Sequence, residues 1–344
     1  MIDETIKPVV PAKSEGHLSY RVVYGAIVLI IFGIDIFTEP TRYADLDTYV
    51  YYLDALVHYP PDSWIYFEVL SNVYLLVSYW LMQSVFSAVI LAHYVLGLVF
   101  IALLGTAFPT KRSSWPTLLF MFSILGPLLA FVTMRATPAY FLVAIAVRYA
   151  MDRRISAWLF LLLAALFHIS ALLAAVPMGL LYFERNLPSI LQSNRSRKFY
   201  LFITLTVVAF GAILPAISSS VTSVVQSIPV ISKYDVYTDS LSTETRIGHY
   251  IFLAFVSMMT VIFLIARDEL AGRLNVYVLA SFALYVVMFF SASPVAAFRQ
   301  TPFWLMPMIA LLPWEKVGLR KTTAPLFVIV CAVLFIFQFR QVYT

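Results

Sequence analysis

Residues 85–107 read VFSAVILAHYVLGLVFIALLGTA, twenty-three positions without an Asp, Glu, Lys or Arg. As a helix the stretch reaches about 34 Å, enough to cross a hydrocarbon core roughly 30 Å thick. Similar runs recur on both sides of it, with no polar linker, low-complexity segment or clear internal repeat. The whole 344-residue chain is 62% hydrophobic and 12% charged. Soluble domains hold about half apolar and a quarter charged residues, so an ordinary soluble fold is excluded. The expectation is an all-α polytopic membrane protein, a single domain over residues 1–344.

Spans are expected near 20–38, 85–107, 116–133, 138–151, 155–168, 170–183, 199–217, 247–266, 274–292, 301–313 and 324–341. That makes eleven, within a range of ten to twelve. Residues 1–19 form a polar tail with no cleavable signal peptide in view, because the first apolar run reads as an anchor. Residues 39–84 form an outer loop with an interfacial or re-entrant helix over 65–80, whose Glu68, Ser71 and Asn72 share a polar face expected to meet a cavity. Residues 218–246 form a second outer loop. The lone Cys331 excludes an intrachain disulfide and a cysteine metal cluster.

Lys and Arg collect on alternate connections, which places the tail and the C-terminus on opposite sides, with the tail in the cytoplasm. All but six of the 23 basic residues fit that assignment. The six left outside are Arg42, Arg135, Lys233, Arg246, Arg299 and Arg340. Arg135 lies in the turn Met134–Pro138 and Arg299 in the turn Ala297–Pro302, each at a span end. A guanidinium there can take a diphosphate in bidentate fashion, or simply snorkel to headgroups.

The loop after the first span carries Glu39, Asp45, Asp47, Asp54 and Asp62 among tyrosines that include Tyr49, Tyr51 and Tyr52. Carboxylates beside aromatic faces suit sugars, although interfacial aromatics alone are also common. Asp45 and Asp47 have the spacing of a weak metal pair; a carboxylate acting on a sugar hydroxyl is the competing reading. His168, inside an apolar stretch, is either a functional group at membrane depth or the fixing point of a helix turn. His93 has no evident partner and reads as packing. Arg246 and His249 share a face at the start of a span. Phosphate-loop, dinucleotide and zinc-protease motifs are missing, which argues against nucleotide hydrolysis, and nothing suggests nucleic acid.

Met134-Arg135-Ala136-Thr137-Pro138, Ala144–Arg148, Asp152-Arg153-Arg154 and Leu166-Phe167-His168-Ile169-Ser170-Ala171-Leu172 together resemble the EpsG/Wzy-like polysaccharide polymerases. Asp47-Thr48-Tyr49-Val50-Tyr51 is similar to that group's Asp-Tyr-x-x-Tyr loop, with Thr48 in place of the first Tyr, and Glu68 falls where its members carry a Glu. Phe298-Arg299-Gln300 and Phe303–Pro313 resemble its late Arg-bearing turn and helix, and Ala136 stands where Gln is usual. The resemblance implies a glycosyltransferase of the bacterial inner membrane that joins undecaprenyl-diphosphate-linked oligosaccharide repeats at the outer face. It also implies membrane lipids and a chain-length regulator and flippase as partners.

The expected catalytic residues are Arg135 and Arg299 on the leaving diphosphate, Asp47 as base, and His168 in an orienting role. Asp45, Tyr51, Glu68, Arg246 and His249 are the expected substrate contacts, with no metal or other cofactor. Two rivals stay open. A lipid-linked sugar flippase would spread its cations through the membrane. An O-acyltransferase would need a histidine–acid pair, and His168 shows no adjacent acid in the sequence.

Overall fold

A computed structural model describes residues 15–58, 68–108, 114–183, 197–217, 247–266, 274–291 and 294–343. Regular structure in it is helical. The helices are α1 (Glu15–Phe37), α2 (Leu46–His58), α3 (Val69–Met82), α4 (Val85–Ala107), α5 (Trp115–Phe131), α6 (Ala136–Met151) and α7 (Ser156–Phe167). They continue with α8 (Ala175–Phe183), α9 (Arg197–Ile217), α10 (Ile247–Ile265), α11 (Asn275–Ser291), α12 (Pro294–Gln300), α13 (Pro302–Ala310) and α14 (Ala324–Val342). Four are long and apolar enough to cross a membrane, those covering Tyr20–Phe37, Val85–Ala107, Ile247–Ile265 and Ala324–Val342, and several shorter apolar helices accompany them. The second outer loop, with Lys233 and Arg246, lies outside the described residues, as do residues 59–67 of the first.

Small residues decide the closest packing. Ala139, Ala146 and Ala150 on α6 and Ala157 and Ala164 on α7 are all buried, so these two backbones approach closely, as membrane helices do when side chains are small. α1 and α4 run antiparallel: the Tyr24 hydroxyl donates to the Ile101 carbonyl at 2.8 Å, and Tyr20 reaches the Phe108 carbonyl. α5 and α14 run parallel, with Phe122 stacked on Phe335 at 4.9 Å and Phe131 edge-on to Phe339 at 5.9 Å.

Two expected spans take another form. The 170–183 stretch is a 3-10 turn (Ile169–Ala174) followed by the nine-residue α8. The 301–313 stretch is the nine-residue α13, preceded by the seven-residue α12. Nine helical residues rise only about 14 Å. Prolines 294, 302 and 307 interrupt this region, and residues 302–309 are buried, so the break is shielded by protein, as interrupted helices at membrane depth require.

The helix expected over 65–80 is α3. Tyr74 reaches the Ala92 carbonyl of α4, while Val69, Val73, Val77 and Trp80 form an exposed apolar stripe on its other face. Its polar face meets protein rather than a cavity. The Ser71 hydroxyl donates to the Phe167 carbonyl at 2.6 Å, and the Asn72 side-chain oxygen accepts from Tyr52 at 2.5 Å.

Candidate active site

Glu68, Arg135 and His168 come from three separated segments and meet in one network. Glu68 precedes α3 and is fully buried. One carboxylate oxygen accepts from Arg135 Nη1 at 3.0 Å; the other accepts from His168 Nδ1 at 2.9 Å and from the Ile169 backbone N–H at 3.3 Å. A buried carboxylate is tolerated only when its lone pairs are met in this way.

Each partner is set by its local fold. Arg135 precedes α6 in a turn locked by Thr137, whose hydroxyl donates to the Leu129 carbonyl at 2.7 Å and bonds Thr133 at 2.8 Å. His168 ends α7 in extended conformation before the 3-10 turn begins. The break leaves the Ile169 N–H without a helical acceptor, and Glu68 supplies one. The Nδ1 proton is assigned from this partner, which puts the basic lone pair of a neutral ring on Nε2.

α2 closes the network from above. Its buried face carries Leu46, Tyr49, Tyr52 and Leu53. The Arg135 guanidinium lies 4.2 Å from the Tyr52 ring centroid and 5.6 Å from that of Tyr49. Such contacts contribute about 2 kcal/mol where water is excluded. Burial alone would lower the Arg135 pKa, but Glu68 beside it holds it above the ordinary arginine value. Burial pushes the Tyr49 phenol up, opposed by Arg135 and, more weakly, by Arg299. Tyr49 therefore sits within the field of both arginines.

Arg299, in the last turn of α12, is about one-third exposed, and its Nη2 lies 3.8 Å from an Asp45 oxygen. The Tyr140 hydroxyl of α6 donates to the Arg299 carbonyl at 2.8 Å, fixing the backbone that carries it. Asp45 takes a left-handed φ of 67° just before α2, a conformation Asp adopts more readily than most residues.

The structure thus gathers Arg135, His168, Glu68, Arg299 and Asp45 at one end of the bundle. Glu68, expected to contact substrate, is occupied by three protein donors. Asp47 and Tyr51 sit on the exposed face of α2, away from the buried Tyr49 and Tyr52. His249 is partly exposed in the first turn of α10. One turn on, Phe252 packs edge-on against Phe298, the neighbour of Arg299, at 4.8 Å. Tyr52, one of the loop tyrosines named above, is not among the expected substrate contacts, although its three-residue spacing from Tyr49 marks a shared helical face. Two buried histidines gain acids. His168 has Glu68, and His93, expected to stand alone, lies 3.7 Å from Asp35, an acid inside the apolar α1, where burying a carboxylate is costly.

No curated protein and no solved structure matches the chain. Residues 22–344 match the EpsG family model, nearly the full length and the whole of the site. The arginine turn, the histidine break and the late arginine helix are thus held within one matched region, and the chain belongs to the EpsG family of Wzy-like polysaccharide polymerases.

Proposed function

We propose that this protein polymerises undecaprenyl-diphosphate-linked oligosaccharide repeats at the outer face of the bacterial inner membrane. The observation that carries this reading is the buried Glu68 network, which fixes one arginine beside a second, more open one. An odd number of crossings with the N-terminal side in the cytoplasm fits the distribution of basic residues. The end of α14 supports an odd number: Ala44 N–H donates to the Val342 carbonyl at 2.9 Å, beside the segment that follows α1.

In this mechanism a hydroxyl of the incoming repeat attacks the anomeric carbon of the growing chain. The new C–O bond forms as the bond from the anomeric carbon to the diphosphate oxygen breaks, and the electron pair leaves with undecaprenyl diphosphate. Arg299 and Arg135 offset the charge that develops on that diphosphate, so no metal is required. Asp45, beside Arg299, is the acid best placed to take the hydroxyl proton, ahead of Asp47 on the outer face of α2. Glu68 acts through Arg135 and His168, and His249, with Arg246 three residues before it in the chain, is a further candidate substrate contact. A chain-length regulator and a flippase would be its partners in the pathway.

The His168–Glu68 pair is also what an O-acyltransferase would use, so the test must separate the two. Deletion should reduce the surface polysaccharide ladder on a gel to single-repeat product, restored by the wild-type gene. A normal ladder lacking acyl esters identifies the acyltransferase, and inward-facing lipid intermediates identify the flippase.

A further inference from the structure

At the opposite end of α5 from Arg135, about 25 Å away along the helix, the starts of α5 and α14 line a half-open cavity of about 530 Å³. Trp115, Trp314, Arg320, Lys321 and Glu315 are among the residues that line it. Its walls are built into the fold. The Trp314 indole N–H donates to the Thr117 hydroxyl at 2.9 Å, and its ring packs edge-on against Phe120 and Phe327, each at 5.2 Å. The Thr323 hydroxyl accepts the Arg320 backbone N–H at 2.8 Å, fastening the basic loop to the start of α14.

The charge balance favours an anion. Arg320 and Lys321 line it with only one carboxylate, that of Glu315, and both helices point their positive ends here. Neither Ser114 nor Thr323 caps its own helix with its side chain. A volume in this range holds a small polar group. Directly along α14 run Leu326, Ile329, Val333 and Ile336, all exposed and on one face. A soluble phosphate has no use for that stripe, whereas two acyl chains do.

We propose that the cavity binds the phosphate headgroup of an anionic phospholipid, with its acyl chains laid along the exposed face of α14. The proposal rests on the membrane fold and is independent of the polymerase reading. The lipid would clamp the α5–α14 pair at the end opposite the catalytic arginines.

The test uses the full-length protein in vesicles of phosphatidylcholine alone and of phosphatidylcholine mixed with phosphatidylglycerol. The mixed vesicles should raise the thermal midpoint by several degrees, and native mass spectrometry should find phosphatidylglycerol retained on the protein. Arg320→Gln with Lys321→Gln should abolish both effects, while Lys316→Gln, in the same loop but not lining the cavity, should keep them. Equal midpoints for the wild type in the two vesicles would overturn the proposal. So would equal loss in Lys316→Gln, which marks diffuse surface charge. The same rise from inorganic phosphate in phosphatidylcholine vesicles would assign the cavity to a soluble anion instead.

Discussion

Two buried histidines among the described residues pair with carboxylates, and the pairs are built differently. His168 and Glu68 are 2.9 Å apart, and the carboxylate also holds Arg135 and a backbone N–H. His93 and Asp35 are 3.7 Å apart, and neither ring nitrogen of His93 has a hydrogen-bond partner among the described residues. His93 instead packs its ring against Tyr43 at 4.7 Å and Phe131 at 6.4 Å. The first pair is an electrostatic assembly whose members depend on one another; the second is mainly aromatic packing that happens to include an acid. Ionisable residues at membrane depth are therefore not equivalent, and saturation of their hydrogen bonds tells them apart.

Glu68→Gln should break the comparison most severely. It leaves the Arg135 charge buried without a counter-ion, which costs about 3–5 kcal/mol, and polymer should vanish. Thermal midpoint and ladder length, measured together, read the two effects. Normal polymer at normal protein level would remove the network from the mechanism.

The two arginines should separate next. Arg135→Lys keeps the charge but loses the planar fork and the fit over Tyr52, so elongation should fall on the order of 100-fold. Arg299→Lys, at a looser and more open site, should lose roughly tenfold. Equal, near-normal rates for both would sink the diphosphate role.

The smallest effect belongs to the second pair. Asp35→Leu combined with His93→Phe replaces a loose buried pair by apolar groups of similar shape, and such swaps are often neutral or stabilising. The double variant should keep its polymer ladder, with a midpoint within about 1 kcal/mol of the wild type in stability terms. Loss of polymer at normal protein level would give Asp35 and His93 a place in the chemistry.

The sequence shows the spans best where they are long. Val85–Ala107 is a helix over the full range read from its apolar run, because hydrophobic length is a local property. Residues 301–313 misled for the same reason: an apolar run cannot reveal that Pro302 and Pro307 sit in a short, buried helix. The site was half legible. Arg135, Arg299 and His168 stand out as polar residues in apolar surroundings. Their pairing does not, since Glu68 lies a hundred residues from His168 and no periodicity joins them. Asp47 and Tyr51 matched a pattern in the chain, but the helical turn of α2 sends them to the face opposite Tyr49 and Tyr52.

The shortness of α13 bears on how the protein is made. A nine-residue helix covers less than half of a hydrocarbon core roughly 30 Å thick, so the insertion machinery has little in it to recognise as a span. Pro307 leaves the Phe303 carbonyl without its helical N–H donor, and the Tyr277 hydroxyl of the neighbouring α11 supplies one at 2.8 Å. The segment must therefore enter the membrane as a passenger, after the helices around it have been threaded. Because α12 immediately precedes it and carries Arg299, the second arginine reaches its place at the end of biogenesis. A half-inserted chain would have its buried Glu68 network assembled before Arg299 arrives beside Asp45.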